Sequence, residues 1–252
     1  MRCNNWVKLI GTVAIALVLI VLIGLLTPRS LASGWRVVIE ETILFAGLWG
    51  LNRVWLKQPV YFRLTERNPL RLLAVNWVSI LLLIMVALMI TSLSKTHHVY
   101  LGLSIIMLIF VPVAEEYLAR GLVLPLAFSV THGRHQLAWA VALSGLTFGL
   151  LHSVNLFHQS LSATGIQMLY TFCLGVMLAA IYLRSGSLLM PMLLHGLNDF
   201  IATYTNGLAE SKTTLGRSLP VDLLMLMIGI ILLRKSQQHR IKLPFAQTKE
   251  SM

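Results

Sequence analysis

Residues 99–121 read VYLGLSIIMLIFVPVAEEYLARG, and how this stretch is read decides how the whole chain is understood. An uncharged, largely apolar run from Val99 to Val113 gives way to Glu115, Glu116 and Arg120. One charge at bilayer depth costs about 3 kcal/mol on insertion scales, so three charges crowded into one lipid-soluble segment mark a site. At about 100° per residue the two carboxylates leave a helix in different directions. Glu116 stands one turn before Arg120, the favourable order for an i,i+4 ion pair. Glu115 has no such local partner and is expected to turn toward a histidine.

The composition agrees with a membrane setting. The 252 residues are 57% hydrophobic and 12% charged, with a mean hydropathy of +0.79, whereas a soluble domain carries about a quarter charged residues. The predicted architecture is an all-α, polytopic integral membrane bundle of about eight transmembrane helices. Its spans fall near residues 6–26, 36–56, 71–93, 99–118, 137–153, 163–183, 188–206 and 219–234. Residues 1–98 hold the N-terminal spans, 99–206 a core with the polar motifs, and 207–252 the last span and a basic cytoplasmic tail. The helix carrying Glu115 is expected to run past Arg120 toward Pro125 as an amphipathic extension leaving the membrane. The run from Trp6 to Leu26, followed by Ser30-Leu31-Ala32, imitates a secretory signal. Its length suits a full span better than a signal core, so it reads as an uncleaved first helix.

The formal charge of +11 invites a nucleic-acid reading, but the lysines and arginines lie between apolar spans and at the ends. That is the pattern produced by positive-inside topology and anionic lipid headgroups. Over alternate loops they divide fifteen to five, which predicts cytoplasmic N- and C-termini and a lipid-hugging tail from Arg234 to Lys249. The partners expected are the bilayer and a membrane-bound peptide or protein, with no nucleic acid. Cys3 and Cys173 are too far separated in context to suggest a disulfide, and no CxxC pattern is present.

Two later stretches complete the polar set. Phe148-Gly149-Leu150-Leu151-His152 closes an apolar run in which Gly145, Gly149 and Ser153 recur every four residues. Small residues at that spacing let helices approach closely, placing His152 against a neighbouring backbone. His195-Gly196-Leu197-Asn198-Asp199 puts His195 and Asp199 on one helical face, with Asn198 beside them. A lone histidine in an apolar helix is usually a packed core residue. Two of them, an Asx pair and a Glu pair on three separate spans point instead to a site.

Glu-Glu-x-x-x-Arg, then Phe-x-x-x-His, then His-x-x-x-Asx, in that order over residues 100–206, resembles the CAAX-protease and bacteriocin-processing family. That family of intramembrane endopeptidases includes type II CAAX prenyl proteases and bacterial bacteriocin self-immunity proteins. The resemblance implies an intramembrane protease in a bacterial cell membrane, with Glu115 and His152 activating water. It further implies that His195 and the residue one turn later stabilise the oxyanion. Here that residue is Asp199, where the family often has Asn; an ionised Asp only accepts hydrogen bonds. Asp199 could therefore orient His195, leaving Asn198 or a protonated His195 as donor. Glu116 and Arg120 are expected as structural support.

Other readings stay open. No cofactor is favoured, but Glu115, His152 and His195 are acceptable ligand types for zinc or another divalent metal. A catalytically weak or inactive immunity or scaffold protein of the same fold would bind a peptide or partner without cutting it. A proton-coupled transporter fits less well, because no internal repeat is visible. Glu40-Glu41 reads as an interfacial pair near a span end, and His97-His98 and His132/His135 read as loop residues beside basic ones.

Overall fold

The structure, a computed structural model, describes residues 2–64, 68–92, 100–209, 212–241 and 243. Among these it contains helices and no strand. In chain order they are α1 (Arg2–Leu26), α2 (Ser33–Leu51), α3 (Pro69–Val75), α4 (Trp77–Ser92), α5 (Leu101–Glu116), α6 (Leu124–Val130), α7 (Gln136–Leu151), α8 (Leu161–Ser185), α9 (Leu189–Asn206) and α10 (Leu215–Leu233). Wide π turns extend α2 through Asn52–Leu56 and join α5 to α6 through Tyr117–Val123. A 3₁₀ segment, His152–Phe157, follows α7.

Local chemistry sets several boundaries. Asn68 caps α3 by accepting from the N–H groups of Leu70 and Arg71, with Pro69 at the first helical position. Ser160 caps α8 through the N–H of Ala163. Gly186, at φ 72°, supplies the left-handed residue that ends α8.

Among the described residues five helices are long and apolar enough to cross a membrane, or six if α3 and α4, bent by 77°, form one span. The expected count of eight is not reproduced by that measure. The two segments that fall short are 36–56, which carries Arg36, Glu40, Glu41 and Arg53, and 188–206, which carries His195, Asn198 and Asp199. Both are helical, and Glu40, Glu41, His195, Asn198 and Asp199 among their polar residues line the cavities described below. The predicted extension past Arg120 is also corrected. Every residue from Tyr117 to Ala127 is buried, so this segment continues a 30-residue helix, Leu101–Val130, through the protein interior.

Close packing follows the small residues. A Cβ added to Gly149 would lie 2.7 Å from the carbonyl oxygen of Met168, and one on Gly145 3.2 Å from that of Phe172. These glycines let α7 lie directly on the backbone of α8. A similar contact joins α5 to α9. Pro112 has no N–H, so the carbonyl of Leu108 loses its helical partner. Gly196 sits against that oxygen, and a Cβ there would come within 2.2 Å of it. His195 is thus carried on a helix with no room to drift.

α1 is part of the core, burying Leu9, Ala16 and Ile23 against Leu44, Leu48 and Leu56. Cys173 is free and buried, while the side chain of Cys3, His97, His98 and the tail beyond Leu243 lie outside the described residues. Large apolar side chains cover much of the outer surface, among them Leu81, Ile84 and Leu88 on α4 and Leu223, Met227 and Ile230 on α10. Such a surface is stable against lipid, not water.

Candidate active site

Arg120 and Glu116 are both fully buried, and Arg120 Nη1 lies 2.8 Å from Glu116 Oε1. The guanidinium also donates through Nη2 to the carbonyl of Gly175 at 2.8 Å and stands 4.7 Å from the centre of the Phe148 ring. A charge buried at this depth needs such an opposite charge beside it, although Arg120 Nε and Glu116 Oε2 have no hydrogen-bond partner. Glu116 does more than fix its own helix. The same Oε1 accepts from His195 Nδ1 at 2.9 Å, tying α5 to α9.

That bond assigns the proton on one side of the imidazole, because a carboxylate can only accept. On the other side, His195 Nε2 faces Asp199 Oδ2 at 3.3 Å and Glu115 Oε2 at 3.6 Å. Two carboxylates around one ring nitrogen attract it only if a proton lies between. The arrangement suits an imidazolium, with Glu116 and Asp199 on its opposite edges. His152 is held differently. Its Nδ1 donates to the carbonyl of Phe148 at 2.9 Å, so Nε2 is not used by that bond. The buried Phe148 ring meets both histidines edge-on, at 5.2 Å from His152 and 5.5 Å from His195.

Glu115, His152, His195 and Asp199 all line a cavity of about 320 Å³ between α1, α2, α5 and α7. This lies at the small end of ligand pockets, which run from roughly 300 to 1,000 Å³. His152, His195 and Asp199 also line a second cavity of about 540 Å³, walled by α8 and α10. The histidines therefore form a partition with space on both sides. Asn198 faces the second cavity only. It accepts from the Tyr170 hydroxyl, and its amide lies 3.4 Å from Asp199 Oδ1.

The sequence reading missed Glu41. Glu40 pairs with Arg36 at 3.2 Å, but Glu41 lines the first cavity with a buried, unpartnered Oε2. Its spacing from the buried Leu44 and Leu48 put it on the inward stripe of α2, a signal the composition of the pair obscured. Gln167 and Tyr170, also unflagged, join the walls from α8. His132 and His135 are exposed and remote from the cavities.

A metal does not suit this donor set. Among the described residues no group of three or more His, Cys, Asp or Glu side chains could hold an ion. His195 has its Nδ1 bound to a carboxylate that is itself bound to Arg120.

The bundle of apolar helices thus encloses a cavity lined by carboxylates and histidines. Residues 97–201 match the family model described as type II CAAX prenyl endopeptidase Rce1-like, and this segment is similar to that family. All three motifs, from Glu115 to Asp199, lie inside it. Comparisons with curated proteins and with solved structures give no match.

Proposed function

We propose that the protein is an endopeptidase that cleaves a membrane-associated peptide or protein with a water activated by Glu115. The observation that carries this reading is the Glu115 side chain, a quarter exposed and lining a cavity shared with both histidines, whose buried Oε2 has no hydrogen-bond partner. Of the adjacent pair, Glu116 is committed to Arg120 and His195, so Glu115 is the one free to take a proton. Water held between Glu115 and His152 attacks the scissile carbonyl carbon while Glu115 accepts its proton. The oxyanion forms beside His195 Nε2, where a proton already oriented by Asp199 is the donor. Collapse breaks the C–N bond, and Glu115 returns its proton to the leaving amine. No step calls for a metal.

CAAX-type processing and bacteriocin self-immunity or maturation are both compatible with the similarity of residues 97–201 to that family. The orientation with cytoplasmic termini, and contact of the basic loops with anionic headgroups, belong to the same proposal. The decisive experiment is reconstitution with a panel of membrane-bound peptides, comparing wild type with Glu115→Gln. Product formation that vanishes in the variant supports the reading. Binding without cleavage by either protein would favour the immunity or scaffold role.

A further inference from the structure

The cavities open toward one end of the bundle, and that end can be assigned a side of the membrane. The first cavity is bordered by Gly24 near the end of α1, Glu41 in the first half of α2, Met107 in α5, Asn155 after α7 and Leu208 after α9. The second is bordered by Gln159, Thr213 and Arg217. Contacts confirm that these positions share an end: Gly34 packs on Ile106, and Gly207 on Tyr100. The other ends of the helices meet elsewhere. Gly11 packs on Trp55, Asn52 bonds Tyr117, and the Leu188 N–H donates to the Tyr61 carbonyl at 2.9 Å.

The basic residues are distributed very unequally between these two ends. The end away from the cavities carries Arg53, Lys57 and Arg63 between α2 and α3, and Arg71 in α3. It also carries Arg134 in the α6–α7 turn, Arg184 at the end of α8, and Arg234, Lys235 and Arg240 beyond α10. Among the described residues the cavity end has Arg29, Arg36, Lys212 and Arg217, and Arg36 is paired with Glu40. Short basic loops stay in the cytoplasm, whereas acidic residues contribute little to orientation.

We infer that the catalytic cavity opens on the non-cytoplasmic face, and that its substrate is a membrane-bound peptide already translocated to that face. The nature of the substrate rests on the peptidase reading; the sidedness does not. A prenylated protein whose tail is displayed to the cytoplasm would meet the basic end, where the cavities are lined by Arg71, Arg184 and Arg240 or by Arg134 and Lys235 and not by Glu115 or the site histidines. A lipid-associated peptide exported across the membrane would meet the cavity directly. The two routes within the family are therefore not equally open to this chain, and maturation or inactivation of an exported peptide is the one the geometry admits.

The test begins with accessibility, which needs no activity. In a Cys3→Ser, Cys173→Ser background, Leu208→Cys and Lys212→Cys mark the cavity end, and Arg134→Cys and Lys57→Cys the opposite end. A membrane-impermeant maleimide applied to intact cells is expected to label the first pair, and to reach the second only after lysis. The reverse pattern overturns the inference. A lipidated, internally quenched peptide is then offered to right-side-out and inverted vesicles. Cleavage at least tenfold faster in right-side-out vesicles, lost in Glu115→Gln, is the expected result, and cleavage confined to inverted vesicles also overturns it. Outside labelling with no cleavage from either face would remove the peptidase reading while leaving the sidedness in place.

Discussion

His195 Nδ1 lies 2.9 Å from Glu116 Oε1, joining two residues 79 positions apart in the sequence. The same oxygen is 2.8 Å from Arg120 Nη1. One carboxylate oxygen thus holds a structural cation and a site histidine together, so the stability of the bundle and the geometry of the site share an atom.

Glu116→Gln should separate those two roles. It leaves the Arg120 charge buried without its counter-ion, a loss worth about 3–5 kcal/mol, so the melting temperature in detergent should fall steeply. Combining Glu116→Gln with Arg120→Met removes the stranded charge and should restore most of the melting temperature. Activity should stay low in the double variant, since His195 keeps no charged anchor at Nδ1. A double variant that is both stable and fully active would show that the bond to His195 is incidental.

Glu115→Gln should have the opposite profile. Its side chain is a quarter exposed and pairs only loosely with His195, so thermal unfolding should hardly change. Turnover should fall by roughly 10²–10⁴, the usual contribution of a positioned general base. His152→Ala should also lose turnover while remaining folded.

Chelators should leave the proposed peptidase activity intact. Since no described group of three or more His, Cys, Asp or Glu could hold a metal ion, incubation with EDTA or phenanthroline before assay is expected to cost less than twofold. Activity lost to chelator and regained with zinc would reject the water-and-glutamate mechanism.

Asp199→Asn addresses the departure from the family pattern. Asp199 Oδ2 stands 3.3 Å from His195 Nε2, and a charge-assisted hydrogen bond is worth about 1.5–3 kcal/mol. Turnover should drop by about ten- to a hundredfold. Unchanged or higher activity would mean that an amide donor at this position serves the oxyanion better than an oriented imidazolium.

Gly196→Ala should fail structurally. Its new Cβ would sit 2.2 Å from the Leu108 carbonyl oxygen, a backbone atom that cannot swing aside. Loss of folded protein on size-exclusion chromatography is expected, whereas Gly216→Ala, with nothing within 4 Å of the added Cβ, should behave as wild type.

Much of this was legible in the order of residues. Apolar run lengths locate the helices, the small-residue spacing of Gly145 and Gly149 anticipates the contact with α8, and the polar motifs find one another because buried charges must be matched. What could not be read is equally physical. The Glu116–His195 bond is tertiary, and no local spacing encodes a contact between helices so far apart in the chain. Glu41 resembled an interfacial residue because composition does not show which face of α2 turns inward. The segment after Arg120 looked amphipathic because a buried arginine and a solvated one have the same letter.

The π turn from Tyr117 to Val123 has a consequence for how this chain can change in length. The Leu124 N–H reaches back five residues to the Ala119 carbonyl, which also accepts from Ser144 at 3.0 Å. One residue more than an α-helix needs is accommodated there. Removing one of these seven residues would allow an ordinary α-helix to close with the residues beyond it kept nearly in phase with Glu115 and Glu116, because the wide turn absorbs the extra residue locally. Leu124, Leu126 and Ala127 would then stay close to the core faces they now fill. The segment holds slack in the helical phase, so a single-codon deletion there is easier to accommodate than one in the regular turns on either side, where the same loss would rotate everything beyond it by about 100°.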